Sequence, residues 1–204
     1  MQFKTNNNIM THTKQIKSAL ISVFDKTGLE PIVKQLHSQN VTLYSTGGTE
    51  DFIKNFSVEN DFTYGIGPGL GTDYETEEKL MHFLKNYNEP LVLDADALNL
   101  ISKNSENLNL IPKNSIITPH PKEFSRLFGE SKDSFERLEL AKSKAKELKI
   151  YIVLKGHHTQ IITPEGNVFY NITGNSGLAK GGSGDVLLGI ITSFLAQGYS
   201  PENA

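Results

Sequence analysis

The sequence predicts an α/β protein with a mostly parallel sheet and helices on both faces. Short apolar runs alternate with segments whose apolar residues recur at helical spacing, and polar clusters follow the apolar runs directly. In an open α/β sheet, ligands bind beyond the C-terminal ends of the strands, which is where those clusters fall. The 204 residues carry 20 Lys and Arg against 23 Asp and Glu, a formal net charge of −3. That balance gives no basic excess to hold a nucleic-acid backbone, so no nucleic-acid partner is expected. The lack of cysteine excludes disulfide frameworks, thiolate zinc sites and cysteine nucleophiles. The N-terminus has no apolar signal core, and the apolar stretch from Val186 to Ala196 is too short to span a bilayer. A cytoplasmic protein without a membrane partner is expected, and a homo-oligomer is left open.

Residues 1–16 are polar, Asn-rich and aperiodic, and read as a disordered lead-in. Ala19 to Phe24 is a buried-strand run, followed by the turn Asp25-Lys26-Thr27-Gly28. Leu29, Ile32, Val33 and Leu36 recur at helical spacing, Val41 to Tyr44 is a second strand, and Phe52, Ile53 and Phe56 mark a second helix. After a polar break, Phe62 to Ile66 is a strand running into a glycine-rich loop. Thr72 or Asp73 can cap the next helix, whose first turn places Glu75, Glu77 and Glu78 at the positive end of its dipole. Leu80, Leu84 and Tyr87 give it an apolar face. Leu91 to Leu93 and Ile116-Ile117 are short buried strands. An amphipathic helix over about 133–149 places Phe135, Leu138, Ala141, Ala145 and Leu148 on one side. Ile150 to Leu154 is a strand, and Thr159 to Tyr170, interrupted by Pro164-Glu165-Gly166, is a hairpin. The segment from Val186 to Leu195 is apolar nearly all round, which predicts a buried helix.

The strongest chemical signal is Gly181-Gly182-Ser183-Gly184-Asp185 ahead of that helix. Glycines leave backbone N–H groups free at a helix N-terminus, which makes an anion site. An aspartate ending such a loop suits a base that takes a proton from a hydroxyl about to be phosphorylated. A simple N-cap role for Asp185 is the alternative. Lys155-Gly156-His157-His158-Thr159 supplies a cation, a hydroxyl and flexible backbone for nucleotide phosphates, or a hairpin start with a surface lysine. Neighbouring histidines on an extended chain point to opposite sides, so His157 and His158 are not expected to be a metal pair. Gly67, Gly69 and Gly71 lack the dinucleotide-fold spacing but could let a diphosphate approach the backbone. Asp94 and Asp96 would share a face if their strand persists, and could then organise Mg²⁺ through water; capping is the alternative. His120, between two prolines, suits a positioned polar contact, and Glu123 is a first-turn acid. No residue is assigned as a direct metal ligand. Ser45 to Thr49, with Ser22, Lys26 and Thr27 nearby, is a further plausible phosphate nest.

Five motifs taken together resemble the ADP/ATP-dependent NAD(P)H-hydrate dehydratases of the ribokinase-like superfamily. They are GIGPGLGTD (65–73), VLDADALN (92–99), ITPHPKEFSRL (117–127), VLKGHHT (153–159) and NSGLAKGGSGDVLLGII (175–191). The resemblance spans residues 62–204 and implies cofactor repair, with ADP or ATP as phosphoryl donor and Mg²⁺ bridging phosphates. ADP is the donor that bacterial members generally prefer. It further implies that Asp185 is the base and a substrate contact, and that Gly181, Gly182, Ser183 and Gly184 cradle the transferred phosphate. Lys155, Gly156, His157, His158 and Thr159 would bind the nucleotide. Gly67, Gly69, Gly71 and His120 would contact the substrate, hydrated NADH or NADPH.

Residues 17–56 are similar to something else, the start of AICAR formyltransferase/IMP cyclohydrolase with its methylglyoxal-synthase-like domain. The stretch KSALISVFDKTG and the loop STGGT carry that likeness, which implies two βα units of a larger sheet. The catalytic remainder of that domain is missing, so no cyclohydrolase activity is expected. The expected organisation is a lead-in at 1–16, a methylglyoxal-synthase-like fragment at 17–58 and an incomplete ribokinase-like domain at 59–204. Two functional readings compete: a dehydratase impaired by its missing N-terminal third, or a non-catalytic nucleotide-binding remnant; a purine-cyclohydrolase label taken from the N-terminus and a generic ribokinase-like small-molecule kinase are the further alternatives.

Overall fold

The computed structural model describes residues 18–21, 35, 38–39, 42–45 and 63–204. The lead-in, the first expected helix apart from residues 35 and 38–39, the second expected helix and the loops at 25–28 and 46–49 lie outside the described residues. Strands β1 (Ser18–Ile21) and β2 (Thr42–Ser45) pair in parallel as a two-stranded sheet. A second sheet has six strands in sequential order: β3 (Gly65–Ile66), β4 (Val92–Leu93), β5 (Ile116–Ile117), β6 (Tyr151–Leu154), β7 (Gln160–Ile162) and β8 (Val168–Tyr170). β3 through β6 are parallel, but β6–β7 and β7–β8 are antiparallel. The sheet is therefore mixed, not mostly parallel. The causes are local: the tight turn at 155–159 reverses the chain between β6 and β7, and the turn around Pro164 and Gly166 reverses it again before β8, where parallel pairs would need long crossovers.

Between these strands lie α1 (Tyr74–Asn86), α2 (Ala95–Ile101), α3 (Pro121–Phe128) and α4 (Ser134–Leu148), and α5 (Ser183–Ala196) follows the hairpin. Asp73 starts α1 by accepting the Thr76 amide at 2.9 Å and its hydroxyl at 2.8 Å. Those bonds hold the Asp73 carboxyl below the usual carboxylate range, the amide bond contributing most. α2 was not expected; its seven residues leave too short a window for helical periodicity to register.

The side-chain alternation of the strands divides the core. Leu93, Ile117, Ile152 and Ile162 face a large cluster with Leu80, Leu84, Tyr87, Phe124, Ala141 and Ala145 from the helices on that side. Val92 and Ile116 face the opposite side, against Ile191, Leu187, Leu188 and Leu195 of α5. Each leucine fully buried in this way contributes about 1.5–3 kcal/mol relative to exposure. α5 lies close to the sheet: a Cβ on Gly65 would come within 2.3 Å of the Thr192 hydroxyl.

Two helices depart from the expected pattern. Phe135 is exposed because α4 meets the core chiefly through Ala141 and Ala145, the small residues that allow close approach. α5 is not buried all round: Ile191 faces the sheet, while Val186 and Ile190 are exposed on the far side among the described residues.

Candidate functional site

The parallel direction of β3 to β6 brings four loops to one end of the sheet. These loops carry Gly67, Asp94, His120 and Lys155, and the N-terminus of α5 reaches the same place. The register sets this layout, since β4 ends at Leu93 and β6 at Leu154, one residue before each charged group.

Asp94 is the N-cap residue of α2, but its side chain makes no capping bond. Its carboxylate, 2% exposed, instead accepts from the Lys155 ammonium, Oδ1 to Nζ 2.6 Å, across 61 residues of sequence. Lys155 is therefore not a loose surface lysine. Its Nζ also lies 3.9 Å from Oε2 of buried Glu123. One ammonium thus stands between two buried carboxylates. Removing one partner of such a buried pair costs about 3–5 kcal/mol, because the other charge is left uncompensated.

Glu123 links this pair to His120. The His120 amide donates to Oε2 at 2.8 Å, and Nε2 lies 3.3 Å from Oε1. Nδ1 of His120 accepts from the amides of Lys122 and Glu123 at 3.1 and 3.3 Å. Two donors facing Nδ1 leave it bare in the neutral ring and put the proton on Nε2, toward Glu123. His120 and Glu123 form a reciprocal capping box at the start of α3.

Gly67 packs on the backbone of Asp94. A Cβ there would sit 1.8 Å from the Asp94 carbonyl oxygen, and φ is +151°, so only glycine fits. Asp96 accepts the Gly71 amide at 3.0 Å and pins the far side of the same loop, whose Gly69 is exposed. Asp94 and Asp96 therefore do not share a strand face. The strand ends before them, one binds Lys155 and the other a backbone amide, and neither is free to organise Mg²⁺ as a pair.

Gly182 is the N-cap of α5, with φ +88°, a left-handed conformation that favours glycine. Asp185 is accordingly not the N-cap but the third helical residue. Among the described residues, no acceptor is found for the amides of Gly184 and Asp185, nor any partner for the Asp185 carboxylate. Gly181 and Gly182 are exposed, and Ser183, Gly184 and Asp185 half-buried. Gly184 rests on the charged pair: a Cβ there would lie 3.2 Å from Asp94 Oδ2 and 3.6 Å from Lys155 Nζ. Sequence-distant groups thus meet in one cluster, with Gly67 and Gly184 on Asp94 and the chain of contacts running from Asp94 through Lys155 and Glu123 to His120.

Gly156, His157 and His158 are exposed and Thr159 half-buried. The Thr159 hydroxyl bonds the Gly156 carbonyl at 3.1 Å, closing a tight turn. The two imidazoles do not point apart as an extended chain would require. The turn brings Nδ1 of His157 to 3.4 Å from Nδ1 of His158. Gly174, which the sequence reading passed over, lies against His157, where a Cβ would meet its carbonyl oxygen at 2.0 Å. Among the described residues there is no group of three or more His, Cys, Asp and Glu able to hold a metal ion, and no helix long and apolar enough to cross a membrane.

Helices against a mixed sheet and a glycine-led helix N-terminus at its strand ends define a chain of the ribokinase-like class. It is similar to a ribokinase-like superfamily protein from Enterococcus faecalis, with a TM-score of 0.65 and 29% identity over 88% of this chain and 61% of that one. Residues 16–204 match the NAD(P)H-hydrate dehydratase family (Carb_kinase), and the chain belongs to that family. An ADP-dependent (S)-NAD(P)H-hydrate dehydratase from Neisseria meningitidis is 43% identical over 138 residues, 65% of this chain and 47% of the relative. The ADP/ATP-dependent NAD(P)H-hydrate dehydratase of Bacillus subtilis, co-crystallised with ATP/Mg²⁺ and soaked with CoA, superposes with a TM-score of 0.65. It is 34% identical, over 89% of this chain and 64% of that structure. The chain spans less than half the length of the curated relatives it matches.

Proposed function

We propose that the protein catalyses nucleotide-dependent dehydration of hydrated NADH or NADPH, a cofactor-repair reaction. One observation carries the reading. Asp185 sits, without a partner among the described residues, in the first turn of α5, beside the Gly184 that rests on the Lys155–Asp94 pair. Unpaired amides at a helix N-terminus, backed by an ammonium group, suit a phosphate, and the adjacent carboxylate suits a hydroxyl. Asp185 takes the proton of the substrate hydroxyl as its oxygen attacks the terminal phosphorus of ADP or ATP. The bond to the leaving nucleotide breaks, giving AMP from ADP. The phosphate ester then loses phosphate and a neighbouring ring proton, which restores the ring double bond.

Gly181, Gly182, Ser183 and Gly184 hold the transferred phosphate, and Lys155 to Thr159 bind the nucleotide. Gly67, Gly69, Gly71 and His120 line the substrate side. Mg²⁺, when bound, neutralises charge on the phosphates. Asp94 and Glu123 already serve Lys155, so the residues fit an ion carried by the phosphates and water better than an all-protein cage.

The N-terminal segment belongs to the same proposal. Parallel pairing of β1 with β2 supports a βα fragment at 17–58 ahead of the domain at 59–204. The family match from residue 16 supports that fragment standing in for earlier parts of the family's domain, with β1 and β2 paired as a sheet of their own among the described residues.

The test is recovery of NADH absorbance on incubation with hydrated NADH, ADP and Mg²⁺. Wild type should recover it, and Asp185→Asn should lower the rate by about 10²–10⁴-fold while retaining ADP binding. ADP binding by wild type without any NADH recovery would identify a nucleotide-binding protein instead. Conversion of formyl-AICAR to IMP would overturn the assignment of residues 17–56 as a non-catalytic fragment.

A further inference from the structure

We propose that Asp94 is a positioning residue for the nucleotide: it holds the Lys155 ammonium at the N-terminus of α5, where a phosphate binds. The inference rests on the nucleotide reading given above. An ammonium beside the positive end of a helix is unfavourable by itself. Lys155 nevertheless lies there, with its Nζ 3.6 Å from where a Gly184 Cβ would stand. Asp94 compensates it: Oδ1 binds Nζ at 2.6 Å while Oδ2 faces Gly184. The nearest competing anion is Glu123, at 3.9 Å and already engaged by the His120 amide.

Two further observations show how firmly Asp94 is fixed. Its own carbonyl is covered by Gly67, so the backbone cannot shift without moving that loop. The next residue, Ala95, has φ +47°, in the left-handed region that disfavours a residue with a side chain. Strain held beside a buried charge is typical of functional sites. Asp94 needs no contact with the nucleotide to act. Without its charge, Lys155 has only Glu123 to follow, and the ammonium leaves the helix N-terminus toward α3.

A double-mutant cycle tests this, with ADP affinity measured by calorimetry on the full chain and thermal unfolding followed in parallel. Asp94→Asn should weaken ADP binding about tenfold, the loss of one well-placed charge-assisted hydrogen bond. In a Lys155→Met background the same substitution should leave ADP affinity unchanged, because the group it positions is gone. Equal weakening in both backgrounds would mean a merely structural role and overturn the proposal, as would wild-type affinity in Asp94→Asn. If Asp94→Asn does not fold, Asp94→Glu takes its place, moving the carboxylate by one methylene, with the same Lys155-dependent pattern expected at smaller amplitude. Wild type that fails to bind ADP would overturn the nucleotide reading and this proposal together; bound ADP that ignores Asp94 would overturn the proposal alone.

Discussion

Gly67 and Asp94 are in backbone contact: no side chain can be placed on Gly67 without striking the Asp94 carbonyl oxygen. The contact joins the loop after β3 to the loop after β4, and so fixes the glycine-rich loop to the residue that holds Lys155. Gly67→Ala should destabilise the protein by about 3 kcal/mol or more, combining a steric clash with a disfavoured backbone conformation. Gly69→Ala is the control. Its φ is +69° but nothing lies within 4 Å of the added methyl, so the cost should be only about 1 kcal/mol. Chemical denaturation of the two variants checks the difference.

His120 should contribute to stability as an acceptor more than as a base. Its Nδ1 receives two amides at the start of α3. His120→Ala should lose about 1 kcal/mol of unfolding free energy, a typical cap loss, and His120→Asn, which retains a side-chain acceptor, should regain most of it. Equal losses in the two variants would show that the cap is not what His120 supplies.

Alkaline pH should expose the packing of α1. The Tyr87 phenol is 1% exposed, its ring stacked on Phe83 at 5.1 Å and edge-on to Tyr64 at 4.9 Å. Burial raises its pKa far above the ordinary 10.0, with the neighbouring Tyr64 adding to the shift. A raised pKa means that the folded state holds the proton more tightly than the unfolded one. The resulting stability is complete below pH 10 and declines as pH rises from 10.0 toward the folded-state value. An ultraviolet titration should therefore show Tyr87 ionising only together with unfolding, and Tyr87→Phe should reduce the alkaline loss of stability.

The strands, the apolar face of α1 and the hairpin at β7–β8 were legible in the sequence because each depends on local periodicity or turn chemistry. Leu80, Leu84 and Tyr87 at helical spacing have one way to be buried, and they are. The glycines and charged groups of the site were legible as motifs, each following an apolar run. Periodicity could not reveal the partners. Asp94 and Asp96 look equivalent in sequence, yet the end of β4 at Leu93 and the short α2 send one to Lys155 and the other to Gly71.

An α/β chain without cysteine, a glycine-rich loop ending in Asp185 ahead of an apolar helix, and the likeness to a dehydratase family follow from the order of residues alone. Three-dimensional packing pairs Lys155 with Asp94, ties His120 to Glu123 and sets Gly184 over the charged pair. It also decided the mixed sense of the sheet. The physical reason is separation: the Asp94–Lys155 contact joins residues 61 apart, and parallel strands alone bring such distant chain ends to one edge.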